Sequence, residues 1–204
     1  MNDENEHDSI VYIVDDDQAI RHAMGLLLKS VGHEHLVFTS ADEFLASHTG
    51  NNNGCLVLDI RMPGLSGLEL QQKLIESGSS LPIIFISGHG DIPMAVEAMQ
   101  KGAFDFIQKP FRDQELLDRI SEALNTARRQ ESEREQKLDV QDRIDTLTKR
   151  EHEVLDLVVT GKPNKIIAHE LGVSQRTIEI HRARVMEKMR AKSLAELVRM
   201  HMAA

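Results

Sequence analysis

Five short apolar runs, each followed by apolar residues at helical spacing, organise the front of the chain. Ile10 to Val14 is a continuous run, and Ala19, Ile20, Ala23, Met24, Leu27 and Leu28 after it follow the three-and-four spacing of one helix face. Glu34 to Phe38 reads as a weaker strand, with Ser40 as the N-cap of a helix that carries Phe44 and Leu45 on one side. Leu56 to Leu58 precedes a helix around Leu68, Leu70, Leu74 and Ile75. Ile83 to Ile86 precedes a helix from Met94 to Met99, with Asp91 as cap and Pro93 in the first turn, where a missing N–H is no loss. Phe104 to Ile107 closes the series, ahead of a helix from about Asp113 marked by Leu116, Leu117, Ile120 and Leu124. Such alternation predicts an α/β unit: a doubly wound, five-stranded parallel sheet covered on both faces.

The pattern then changes. Residues 125–137 hold almost nothing apolar except Ala127, which predicts a helical or flexible linker without the seam of a coiled coil. From Asp145 the signal is all helical, in stretches Leu147 to Val159, Asn164 to Leu171, Ser174 to Met189 and Ser193 to Met200. The middle pair, joined by a short turn through Gly172, has helix-turn-helix dimensions. The expected organisation is a first domain over residues 1–124, a linker over 125–145 and a second, all-α helix-turn-helix domain over 146–204.

Charge sharpens this division. Residues 1–123 carry eight lysines and arginines against twenty acids, whereas residues 146–204 carry eleven against seven. An acidic front and a basic tail point to separate partners, the second a polyanion. No run approaches the ~18 apolar residues of a membrane span, and Met1 to Ser9 is acidic and polar rather than signal-like. The single cysteine, Cys55, excludes an internal disulfide and sits in a strand-like run where packing is its expected role. The expectation is a soluble, cytoplasmic protein with no membrane partner.

Candidate chemistry gathers at the strand ends. Asp16, Asp59, Ser87 and Lys109 each follow one of the apolar runs, so parallel strands would bring them together at the carboxyl edge of the sheet, where open α/β sheets place their ligands. Asp15, Asp16 and Asp59 would crowd three negative charges, an arrangement that calls for a divalent cation such as Mg2+. A carboxylate beside a cation and a lysine is a competent phosphoryl acceptor. Spacing alone does not choose between an acceptor and a metal-dependent hydrolase.

Four motifs do choose. VDDD (14–17), LDIRMPGLSG (58–67), ISGHGDIPMAV (86–96) and GAFDFIQKPF (102–111) resemble the receiver domain of two-component response regulators, the last two in the manner of the FixJ subgroup. The resemblance implies a flavodoxin-like fold in which Asp59 accepts the phosphoryl group. It further implies that Asp16, Asp59 and the carbonyl of Arg61 bind Mg2+, with Asp15 acting through water. Lys109 would bond a phosphoryl oxygen, Ser87 would swing toward another, and Phe106 would be the aromatic that turns inward behind it, its rival role being plain core. The Lys109–Pro110 peptide is expected to be cis, and His89 reads as a solvated loop histidine, its alternative role being to steer the water of dephosphorylation.

The tail segment from Leu147 to Ser193 resembles the LuxR-type helix-turn-helix, through Leu147, Thr148, Glu151, Val154, Gly161, Asn164, Ile167, Ser174, Thr177 and Ile178 among others. On its second helix Ile178, Val185 and Met189 can face a core while arginines look outward, which suits the major groove. By that analogy Glu179, Ile180, Arg182 and Ala183 are candidates for base contact. Lys165, Ser174, Arg176, Thr177, His181, Arg184 and Lys188 are candidates for phosphate contact, with a buried role as the alternative for His181. The whole reads as a phosphorylation-switched, DNA-binding transcriptional regulator and not an enzyme. Its expected partners are a sensor histidine kinase, double-stranded DNA, RNA polymerase and, once phosphorylated, a second copy of itself.

Overall fold

The structure, a computed structural model, describes residues 9–48, 50, 53–88 and 92–203. The chain divides into two compact units, Met1–Glu131 and Ser132–Ala204. In the first, strands β1 (Ile10–Val14), β2 (His35–Phe38), β3 (Gly54–Asp59), β4 (Ile83–Ser87) and β5 (Asp105–Gln108) form one sheet in the order β2-β1-β3-β4-β5. Every pairing is parallel. Between and after the strands run α1 (Gln18–Ser30), α2 (Ala41–Ser47), α3 (Gly67–Glu76), α4 (Ile92–Gln100) and α5 (Asp113–Asp145). This is the doubly wound architecture that the alternating pattern predicts.

Period-two alternation along the strands builds two cores, one on each face of the sheet. Tyr12, Val14, Leu56, Leu58 and Phe85 pack toward one, with Phe44 and Leu70 from the helices above. Val11, Ile13, Cys55, Val57, Ile84 and Ile86 pack toward the other, against Met24, Leu28, Leu116 and Ile120. Cys55 is fully buried there, as a small hydrophobe, and burial pushes its thiol pKa up to about 12.

The helix starts follow local chemistry. Asp17, Ser40 and Ser66 each accept an amide hydrogen bond in the first turn of α1, α2 and α3, and Ser66 completes a capping box with Glu69. Asp91, expected to cap α4, and His89 lie outside the described residues. The segment expected to be the linker lies within α5, which spans 33 residues. No described helix is long and apolar enough to cross a membrane.

In the second unit, α6 (Lys149–Val159), α7 (Asn164–Glu170), α8 (Gln175–Lys188) and α9 (Leu194–Ala203) pack with the end of α5 around Val154, Leu155, Ile167, Ile178, Val185, Met189 and Leu197. Thr148 caps α6 in a capping box with Glu151, and Ser174 caps α8. Gly172, at φ +66, makes the left-handed step between α7 and α8 that side chains with a Cβ resist.

Candidate functional site

The carboxyl edge of the sheet brings its predicted residues together. Asp15 follows the last residue of β1 and is 1% exposed, while Asp59 ends β3 with a side chain 12% exposed. One carboxylate oxygen from each of Asp15, Asp16 and Asp59 lies within 4.8 Å of the other two. The Lys109 ammonium donates to Asp15 Oδ2 at 2.8 Å and to Asp59 Oδ2 at 3.1 Å. Its position is fixed from β4, because the Lys109 amide donates to the Ser87 carbonyl at 2.7 Å, and the Lys109–Pro110 peptide is cis.

Backbone groups complete the frame. The Asp17 amide donates to Asp15 Oδ1 at 2.8 Å, the Arg21 guanidinium to the Asp15 carbonyl at 2.6 Å, and the Arg61 amide to Asp59 Oδ1 at 3.4 Å. Arg61 is thereby held beside the acids through its main chain. Ser87 is fully buried at the end of β4, one residue beyond Ile86, the register partner of Asp59. Phe106, opposite Phe85 on β5, is half-buried against the core.

The electrostatics are unbalanced: three carboxylates face one ammonium. Burial raises the Asp59 pKa above the ordinary carboxylate value, helped by the neighbouring Asp15, although Lys109 pulls the other way. For Lys109, burial disfavours the charge, but the hydrogen bonds and charges of Asp15 and Asp59 outweigh it and hold the pKa above the usual lysine value. A hard divalent cation ligated by carboxylate oxygens would remove the remaining repulsion, and the donor set is of the oxygen type such an ion takes.

In the second unit α8 presents the expected surface. Arg176, Glu179, Ile180, Ala183 and Arg184 are exposed along it, as is Lys165 on α7, while Ile178 and Val185 are buried beneath. Ser174 and Thr177 share a hydroxyl hydrogen bond at the start of the helix, and Gln175 donates to Glu179 at 3.2 Å. Arg182 is half-buried and donates to Asn164 Oδ1 at 3.0 Å, which fixes its guanidinium beside the first turn of α7. His181 is also half-buried, its Nδ1 without a hydrogen-bond partner among the described residues.

The Lys188 ammonium bonds Glu151 at 2.6 Å and the Thr146 carbonyl at 2.9 Å. Glu151 is 2% exposed, and the Lys188 hydrogen bond, with those from Thr148, holds its carboxyl at a pKa of about 2. The ion pair was not legible in the sequence, because its partners are 37 residues apart.

Residues 11–121 match the family described as response regulator receiver domain, and residues 145–201 that of bacterial regulatory proteins, luxR family. The chain is 48% identical to nodulation protein W of Bradyrhizobium diazoefficiens, over 94% of this chain and 85% of that one. It is 46% identical to the transcriptional regulatory protein FixJ of Rhizobium meliloti, over 96% of both. Among solved structures, the response regulator StyR is similar at a TM-score of 0.88 and 42% identity, covering 96% of this chain and 99% of that one. Full-length FixJ from B. japonicum is similar at a TM-score of 0.61 and 42% identity, covering 97% of both.

Proposed function

Since this chain belongs to the FixJ/NarL (LuxR-type) family of response regulators, we propose that Asp59 is its phosphoryl acceptor and Mg2+ its cation, bound by Asp16, Asp59 and the Arg61 carbonyl, with Asp15 acting through water. The family is one of phosphorylation-switched, DNA-binding transcriptional regulators served by sensor histidine kinases, not of catalysts. The observation that carries the acceptor assignment is the ammonium of Lys109, bonded at once to Asp15 and Asp59 at the carboxyl edge of the sheet.

In the proposed transfer, an Asp59 carboxylate oxygen attacks the phosphorus of a phosphohistidine, and an O–P bond forms as the N–P bond breaks. Mg2+ supplies neutralisation of the charge that develops on the transferring oxygens. Lys109 exchanges its bond to Asp59 for one to a phosphoryl oxygen, while keeping Asp15. Ser87 turns its hydroxyl to another oxygen, and Phe106 moves further into the space behind it.

The receiver so loaded pairs with a second copy through α4 and β5, where Ile92, Val96 and Met99 stand exposed. Two α8 helices then engage double-stranded DNA as a dimer, with Glu179, Ile180, Arg182 and Ala183 toward the bases. Lys165, Ser174, Arg176, Thr177, His181, Arg184 and Lys188 face the phosphates, and RNA polymerase is the final partner. The domain limits proposed are residues 1–124 and 146–204, joined by 125–145.

The test is labelling by acetyl phosphate in Mg2+. Wild type takes up one phosphoryl group per chain and Asp59→Asn takes up none, with unchanged circular dichroism; undiminished labelling of the variant places the acceptor elsewhere.

A further inference from the structure

The carbonyl ends of α5 and α8 meet in the second unit, and each receives a cation from the other helix. Arg143, in the last turn of α5, donates through Nη1 to the carbonyl of Met189, the C-cap of α8, at 3.1 Å. Lys188, in the last turn of α8, donates to the carbonyl of Thr146, just past the end of α5, at 2.9 Å. Two helix ends carrying partial negative charge repel unless something neutralises them, and final-turn carbonyls need donors from outside the helix.

The local backbone explains why the Met189 carbonyl needs an outside donor. After α8 the chain turns through Arg190 at φ +54, the Arg190 amide bonding the Glu187 carbonyl and the Ala191 amide that of Met186. Those two bonds satisfy carbonyls one turn back and leave the C-cap carbonyl itself to a side chain. Asp139, one turn before Arg143 on α5, pairs with two other nitrogens of the same guanidinium and fixes its plane, so that Nη1 points at Met189. The Arg143 side chain is 19% exposed, and the neighbouring Val140 and Ile144 are buried in the core of the unit.

We propose that Arg143 is a positioning residue for DNA recognition: anchored by Asp139, it clamps the end of α8 to the last turn of α5 and sets the angle at which α8 presents Glu179, Ile180, Arg182 and Ala183. The inference rests on α8 being the DNA-reading helix and adds that its orientation is governed from the linker helix. Arg143 itself lies at the far end of α8 from Ser174 and Thr177.

The experiment uses the full chain and a randomised duplex pool. The duplex that wild type enriches, and a scrambled version of it, serve as probes for wild type, Arg143→Met and Arg143→Lys. A misaligned α8 loses base readout while its phosphate contacts persist, so Arg143→Met lowers the ratio of enriched to scrambled affinity by about fivefold or more. Arg143→Lys, which can still donate to Met189, recovers most of the ratio. A ratio that stays at the wild-type value in Arg143→Met overturns the inference. So does a loss equal on both probes and matched by a smaller folded fraction, because that is a purely structural role. A wild type that enriches no duplex overturns the DNA-binding reading itself, a result distinct from either.

Discussion

Asp59 stands in a site whose own charges work against it. Its pKa is raised above the ordinary carboxylate value, first by burial and then by Asp15, so ionising it is harder in the folded chain than in the unfolded one. The sign for stability follows: as pH rises from the unfolded carboxylate value through the raised folded one, the folded state loses stability, and above that window the loss is complete. At pH 7 without divalent cation, Asp59→Asn is therefore expected to raise the melting temperature of the first unit, an advantage that disappears near pH 3. Mg2+ should reverse the order. A cation at a hundred times its dissociation constant adds about 2.7 kcal/mol to the state that binds it, and calorimetry should show that gain in wild type and little of it in Asp59→Asn. A wild type that melts at the same temperature with and without Mg2+ would remove the cation from the scheme.

Elements place these residues by close approach as much as by strand order. The first residue of α3, Gly67, is buried where an added Cβ would lie 2.3 Å from the Asp59 carbonyl and 3.0 Å from the Ile60 Cα. Both neighbours are main chain and cannot swing aside. Gly67→Ala is thus expected to displace the end of β3 or the start of α3, lowering stability by about 1–3 kcal/mol and weakening Mg2+ binding and acetyl phosphate labelling together; normal labelling in a stable variant would show that the strand end tolerates the shift. This element scale also shows what the sequence could disclose. Asp16, Asp59, Ser87 and Lys109 were legible because each follows an apolar run, and parallel strands carry their carboxyl ends to one edge of the sheet. The cap Ser40 was legible because its partner Glu43 lies three residues away. The bonds of Lys188 and Arg143 are not legible in the sequence for one reason: each reaches a group more than forty positions away, Thr146 and Met189 respectively. Their exposed-looking places in helical periodicity carry no trace of those partners. Residues 125–137 left helix and coil open because no apolar stripe decided between them; they lie within the 33 residues of α5.

The whole molecule joins an acidic front to a basic tail, so the front half contributes repulsion rather than affinity toward DNA, and a single tail must hold the duplex through its own few contacts. Pairing changes that balance. When two tails are linked, binding of the first raises the effective concentration of the second, and affinity for a two-half-site duplex rises by about 10²–10⁴ without any new contact. The face proposed for pairing carries Ile92 at 76%, Val96 at 50% and Met99 at 44% exposure on α4, side chains whose burial between two copies is favourable by ordinary hydrophobic transfer. A charge placed there separates loading from pairing. Val96→Asp should take up phosphoryl groups from acetyl phosphate as wild type does, because Val96 is exposed on α4 and is not among the groups bonded to Asp15, Asp59 or Lys109. It should nevertheless sediment as a monomer under full phosphorylation, and bind a two-half-site duplex only as tightly as a single half-site. If the variant instead dimerises on phosphorylation and keeps the two-site advantage, α4 is not the pairing face, and the linkage between Asp59 and DNA must run through another surface of the receiver.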